Sequence, residues 1–120
     1  MLDTNDRAAR RFATACAERD VAALTAVLSI DVMAVCDGGG AVSAATSPIH
    51  GADAVARCVM DMLADHPDAA VTVASVNGRA GVVVRRGGQA VAVVGVTVAM
   101  TTVTGVWIIL NPAKLESWHA

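Results

Sequence analysis

From residue 69 to residue 110 the chain reads as β-branched runs separated by short glycine- or threonine-containing breaks, and this stretch limits the fold more than any other. Val71, Val73 and Ser75 alternate with Thr72, Ala74 and Val76, a period-2 pattern that predicts a strand. Asn77-Gly78 follows at once, and this dipeptide favours the two-residue turn whose twist matches the strands it joins. A returning strand is expected over 81–85, a second turn at Gly87-Gly88, a long strand over 90–100, a turn over 100–102 and a last strand over 103–110. Asn111-Pro112 ends the pattern. Four hairpin-linked strands form a meander, so the sheet should be mainly antiparallel.

The first half has a different period. Asp3 or Thr4 can cap a helix running to about Arg19, with Ala8, Phe12, Ala15 and Cys16 on one stripe. Asp20 can cap a short second helix carrying Val21, Leu24, Val27 and Leu28, broken by Ser29-Ile30-Asp31. Residues 32–36 suit a short buried strand, 37–40 a glycine loop, and 41–47 a second strand that Pro48 ends. Gly51 opens a third helix to about Ala64, with Ala52, Val55, Cys58, Val59, Met62 and Leu63 on one face. Helices segregated from hairpin-linked strands indicate an α+β class. The long strand is apolar on both faces: Val91, Val93, Gly95, Thr97 and Ala99 on one, Ala90, Ala92, Val94, Val96, Val98 and Met100 on the other. One face should cover the helices and any pocket between them, and the other should meet a partner sheet.

Composition agrees. Hydrophobic residues make up 55% of the 120 residues, and mean hydropathy is +0.56. The near-apolar run over 90–100 is well short of the roughly 18 residues that a spanning helix needs, so no membrane span is expected. Surface buried twice, in a core and in a homodimer interface on the sheet, accounts for the apolarity. Net charge is −2, the nine basic residues are scattered along the sequence, and aromatic residues are scarce, which argues against direct nucleic-acid binding. The N-terminus lacks the basic and apolar segments of a secretory signal. Cys16, Cys36 and Cys58 are odd in number and widely spaced, as expected of reduced cytoplasmic thiols. One domain over 1–120 fits this length.

Four motifs together carry a resemblance: Asp37-Gly38-Gly39-Gly40, His50-Gly51-Ala52-Asp53, Asn77-Gly78-Arg79 and Asn111-Pro112-Ala113-Lys114-Leu115. With the element order, they resemble the SnoaL-like, or nuclear transport factor 2-like, superfamily, and within it the C-terminal domain of certain actinobacterial extracytoplasmic-function sigma factors. The resemblance spans about residues 12–115 and implies a cone of curved sheet wrapped around three helices of the N-terminal half. It departs from the family pattern at Ala41, where a basic residue is usual, and at Ala113, where aspartate is usual. The sigma regions that bind polymerase and promoter are not in this sequence. A sigma factor or RNA polymerase is therefore an implied partner, and a small hydrophobic molecule an implied ligand.

The glycine triplet does not suit phosphate: the next helix lies about ten residues on, beyond an expected strand, and no lysine is near. Asp37 is the sharpest catalytic candidate. The resemblance to ketosteroid isomerases of the superfamily implies a proton-moving aspartate at a similar place, and an aspartate facing an apolar cavity suits a general base. Such an isomerase also needs an oxyanion hole with a tyrosine, and this sequence has none. The structural alternative is that Asp37 accepts N–H groups of its own glycine turn. His50 is the possible acid–base partner, near the start of the third helix. Cys36, Val55, Val59, Met62 and Trp107 are the candidate ligand-binding residues, with Trp107 also suited to an interface. No metal-ligand spacing or nucleotide motif occurs, and no cofactor is expected. Two readings result: a binding or regulatory domain, or a small isomerase, cyclase or hydrolase acting on a polyketide- or terpenoid-like substrate through Asp37.

Overall fold

The computed structural model describes residues 4–38, 48–76 and 78–118. Helix α1 spans Thr4–Ala17 and α2 Val21–Val27, followed by β1 over Leu28–Asp37 and β2 over Ile49–His50. Helix α3 spans Ala52–Ala64. The meander follows as β3 (Ala70–Val76), β4 (Arg79–Arg86), β5 (Gln89–Ala99) and β6 (Thr102–Ile109). One helical turn, α4 (Pro112–Leu115), and a 3₁₀ turn over Glu116–Trp118 complete the described chain. The six strands form one curved, open sheet in the order β2-β1-β6-β5-β4-β3. The α+β class and the mainly antiparallel sheet are as the sequence predicts, and the exception is the parallel pairing of β1 with β6.

Local chemistry explains the boundaries. Asp20 caps α2, its Oδ1 accepting from Ala23 N at 3.1 Å. The strand after α2 begins at Leu28 rather than at Val32. Ser29-Ile30-Asp31 does end the helix, but as an irregular part of β1, where its register against β6 shifts between Leu28 and Met33 and Ile30 is left exposed. The hairpin expected at Asn77-Gly78 closes as Val76 pairs with Arg79, with Gly78 at φ +78°, where a β-carbon would be strained. The caps proposed at Asp3 or Thr4 and the strand expected over 41–47 lie outside the described side chains and residues. Arg19, itself at φ 54°, donates from its guanidinium to the carbonyls of Leu63 and His66 at 2.7 and 3.1 Å, closing the C-terminal end of α3.

The main core lies between the helices and one sheet face. Phe12, Leu24, Val55, Val59 and Leu63 meet Val32, Ala34, Val82, Val84, Val94 and Ile108, all at most 1% exposed. Complete burial of a side chain such as Phe12 contributes about 1.5–3 kcal/mol. The other face holds a smaller cluster of Val76, Val83, Ala90, Val93 and Leu115, with Ile109 and Trp118 against it. That second face is therefore partly covered by the chain's own C-terminal turns. A bulge corrects the expected alternation: between Val84 and Arg85 the register against β5 slips, so Val91 joins the helix-side core and Ala90 turns to the outer face.

Two predictions follow from this packing. A β-carbon at Gly81 would meet Val94 O at 2.5 Å and Val76 Cγ2 at 2.8 Å, and the backbone carbonyl cannot swing aside. Gly81→Ala should lower unfolding free energy by about 1–3 kcal/mol in urea melts, the usual range for overpacking. Burial pushes the Cys16 thiol from 9.0 up to about 12. Below pH 9 the thiol is protonated in both states; above it the unfolded chain loses that proton first. Stability should therefore fall as pH rises from about 9 towards 12, and Cys16→Ala should flatten that slope in denaturant melts compared pH by pH.

Candidate functional site

The outer face of the sheet carries a hollow of about 210 Å³ where the ends of β1 and β6 meet α4. Trp107 pairs with Val35 on β1 and with Gly95 on β5. The glycine supplies no side chain, Val76 Cγ1 packs over it 3.1 Å from where a β-carbon would stand, and the hollow is lined by Val76 and by the indole, which remains 45% exposed. Val35 and Ile109 form apolar walls, and Asp37 and Lys114 close one end.

Asp37 and Lys114 stand 77 residues apart in sequence, and their side chains pair at 2.5 Å between Nζ and Oδ2. The backbone prepares this contact. Asp37 pairs with Ile109 across the parallel ladder, and Leu110 N donates to Asp37 O at 2.7 Å. Asn111 Oδ1 then accepts from Ala113 N at 3.1 Å and caps α4, with Pro112 in the first helical turn, where it needs no donor. One turn is enough to aim Lys114 back at Asp37 while Leu115 plugs into the outer cluster. The Asn-Pro-Ala-Lys-Leu motif is thus a cap, a starter, an exposed spacer, an ion-pair partner and a hydrophobic anchor. Lys114 was not among the sequence-derived site residues. The signal for it was the fixed motif, in which a lone lysine follows a capped proline.

The structure distributes the sequence-derived candidates over two sides of the sheet. Asp37 and Trp107 share the outer hollow. Val55 and Val59 are wholly buried between α3 and the sheet, Met62 is 8% exposed beside them, and Cys36 packs against that same cluster. These four are therefore separated from Trp107 by the sheet itself. His50 is exposed and pairs with Met33, four positions before Asp37 on the same face of β1. Four residues of strand span roughly 13 Å, so the two are not within hydrogen-bond reach. The glycine-turn N–H donors proposed for Asp37 include residues 39 and 40, which lie outside the described chain. On the inner side, the Cys58 thiol is raised to about 11, first by burial, then by the Cys36 thiol beside it and by Asp61.

The ion pair is half exposed, with side-chain exposures of 61% for Lys114 and 35% for Asp37, so solvent screens it. A double-mutant cycle with Asp37→Asn and Lys114→Met should return a coupling of about 0–1 kcal/mol in unfolding free energy, since exposed pairs stabilise little. A coupling above about 2 kcal/mol would show instead that the pair is part of the fold's stability rather than a surface feature.

No protein-family model and no curated protein matches the sequence. Solved structures do. The extracytoplasmic function sigma factor SigJ of Mycobacterium tuberculosis is similar with a TM-score of 0.73 and 22% identity, over 96% of this chain and 45% of that one. This chain thus spans less than half the length of SigJ. A SnoaL-like protein of unknown function from Burkholderia thailandensis matches with a TM-score of 0.62 and 13% identity, over 88% of this chain and 92% of that one. An LEH-like epoxide hydrolase of M. tuberculosis matches with a TM-score of 0.56 and 15% identity, over 95% of this chain and 87% of that one. Together with the open curved sheet and its helices, these likenesses give the chain the SnoaL-like, or nuclear transport factor 2-like, fold.

Proposed function

We propose that this chain is a SnoaL-like binding domain that docks a protein partner on its outer sheet face, in sigma-factor-linked regulation of transcription. The observation that carries the reading is the Asp37–Lys114 pair closing a hollow beside Trp107. Small-molecule sites usually enclose about 300–1,000 Å³. A hollow of about 210 Å³ is better matched to one apolar side chain of a partner than to a polyketide or terpenoid. An exposed tryptophan next to a charged pair is also the composition of an interface hot spot. The fold likeness to SigJ, and the resemblance of the motifs at Asp37 and Lys114 to the C-terminal domain of sigma factors, support a sigma factor as that partner. Met33, Val35 and Trp107 extend the same face as an exposed apolar row, so a homodimer would compete for it. Asp37 has Lys114 on one oxygen and His50 out of reach, and the sequence has no tyrosine, so the geometry lends the isomerase reading no support.

The test is titration calorimetry with an extracytoplasmic-function sigma factor encoded in the same genome, run beside sedimentation velocity. Trp107→Ala should weaken the complex by about tenfold or more, as truncating a hot-spot aromatic does, and Lys114→Ala should weaken it less. Absence of a complex would overturn the proposal. So would a Trp107→Ala variant that only converts a dimer to a monomer, which would assign the face to self-association.

A further inference from the structure

We infer a second binding surface, on the side of α1 and the β3–β4 hairpin, that takes an acidic segment of a partner protein. Arg7, Arg10, Arg11 and Arg79 are scattered in sequence but adjoin one another in the fold. Arg10 and Arg79 line one hollow of about 390 Å³, whose wall includes Val73. Arg7, Arg10 and Arg11 line the next, of about 340 Å³, with Glu18 also on its lining. Arg10 lines both, so the two adjoin at that side chain. Positions 7, 10 and 11 fall on one helix face within about 6 Å of axis.

The state of these side chains separates them from most of the other basic residues. Arg19 is held by two carbonyls. Arg85 donates to Trp118 O and Thr72, Arg86 meets His66, and Lys114 meets Asp37. Arg10 has an intramolecular interaction of its own. Arg7, Arg11 and Arg79 make no hydrogen bond or ion pair among the described residues. Four of the nine basic residues lie here with Glu18 among them, and apart from these and from Asp3 and Asp6 at the start of the chain the sequence holds five basic against eight acidic residues. A chain of net charge −2 therefore concentrates positive charge at one place and is acidic elsewhere. A long polyanion such as nucleic acid would be repelled by that acidic remainder, whereas a short acidic peptide meets only the patch. Val73, 48% exposed and lining the same hollow as Arg10 and Arg79, gives such a peptide an apolar contact. The ligand class is thus a run of carboxylates around one apolar residue, read by guanidinium forks.

Fluorescence anisotropy with a fluorescein-labelled peptide of four glutamates around one leucine tests this, with the glutamine analogue as control. The glutamate peptide should bind and the glutamine peptide should not, and binding should weaken as salt rises. Arg11→Gln with Arg79→Gln should reduce affinity by about tenfold or more, the loss expected for removing charge-assisted hydrogen bonds. The lysine pair Arg11→Lys with Arg79→Lys should retain more, and Arg57→Gln on α3 should change nothing. Thermal melts confirm that each variant is folded. Equal binding by the glutamine variant, loss with Arg57→Gln, no binding at all, or tighter binding of a single-stranded oligonucleotide would each overturn the inference.

Discussion

The parallel pairing of β1 with β6 is the contact on which the rest of the structure depends. It joins the first third of the chain to its last strand, from Leu28 opposite Val103 to Asp37 opposite Ile109. Without it the meander would be a separate antiparallel sheet with β6 as a bare edge, and edges recruit other strands. With it, α3 is carried onto the sheet, since Gly51 N donates to Val32 O at 2.9 Å and β2 pairs with β1 just before. The helix-side core then has both of its walls. The outer hollow also exists only because β1 stands beside β6, with Val35 and Trp107 as neighbours.

The sheet divides the molecule into two chemically different sides. The inner side is almost wholly apolar and closely filled, with Cys16 and Cys58 as raised, weakly nucleophilic thiols within it. The outer side is only partly covered. Leu115 and Trp118 seal the part over β4 and β5, and Trp107 is left beside the glycine of β5. Polar groups with a geometric role, Asp37 and Lys114, are found on this outer side. Solved structures named as an epoxide hydrolase and as a sigma factor share this scaffold, so the fold by itself assigns no role.

Much of the fold was legible in the sequence because its signals are local. Asn77-Gly78, Gly87-Gly88 and the period-2 runs give the meander within a residue or two. Asp20 marks a helix start through its side-chain cap, and Gly51 marks one through a φ of +96° that favours glycine, both of them local signals. The site was less legible because it is built from contacts across the chain. Asp37 was singled out, but the partner that decides its role is Lys114, 77 residues away, and no periodicity connects them. The bulge at Val91 inverted the face of Ala90, a slip that strict alternation cannot anticipate. Cys36, Val55, Val59 and Met62 have the composition of a pocket lining, yet composition does not distinguish a lined cavity from a filled core. The arginines looked scattered because a helix and a distant hairpin brought them together.

The 77-residue separation of Asp37 from Lys114 also sets an order of events in biosynthesis. The hairpins of the meander close locally and early, whereas β1 must wait for β6, and long-range pairings form slowly because loop closure comes first. A nascent chain that has emerged only as far as β5 holds the Asp37 half of the pair without its lysine, its tryptophan neighbour or its cap. The outer hollow is therefore absent from every incomplete chain. A partner docking there as proposed would meet only molecules whose synthesis has passed residue 114.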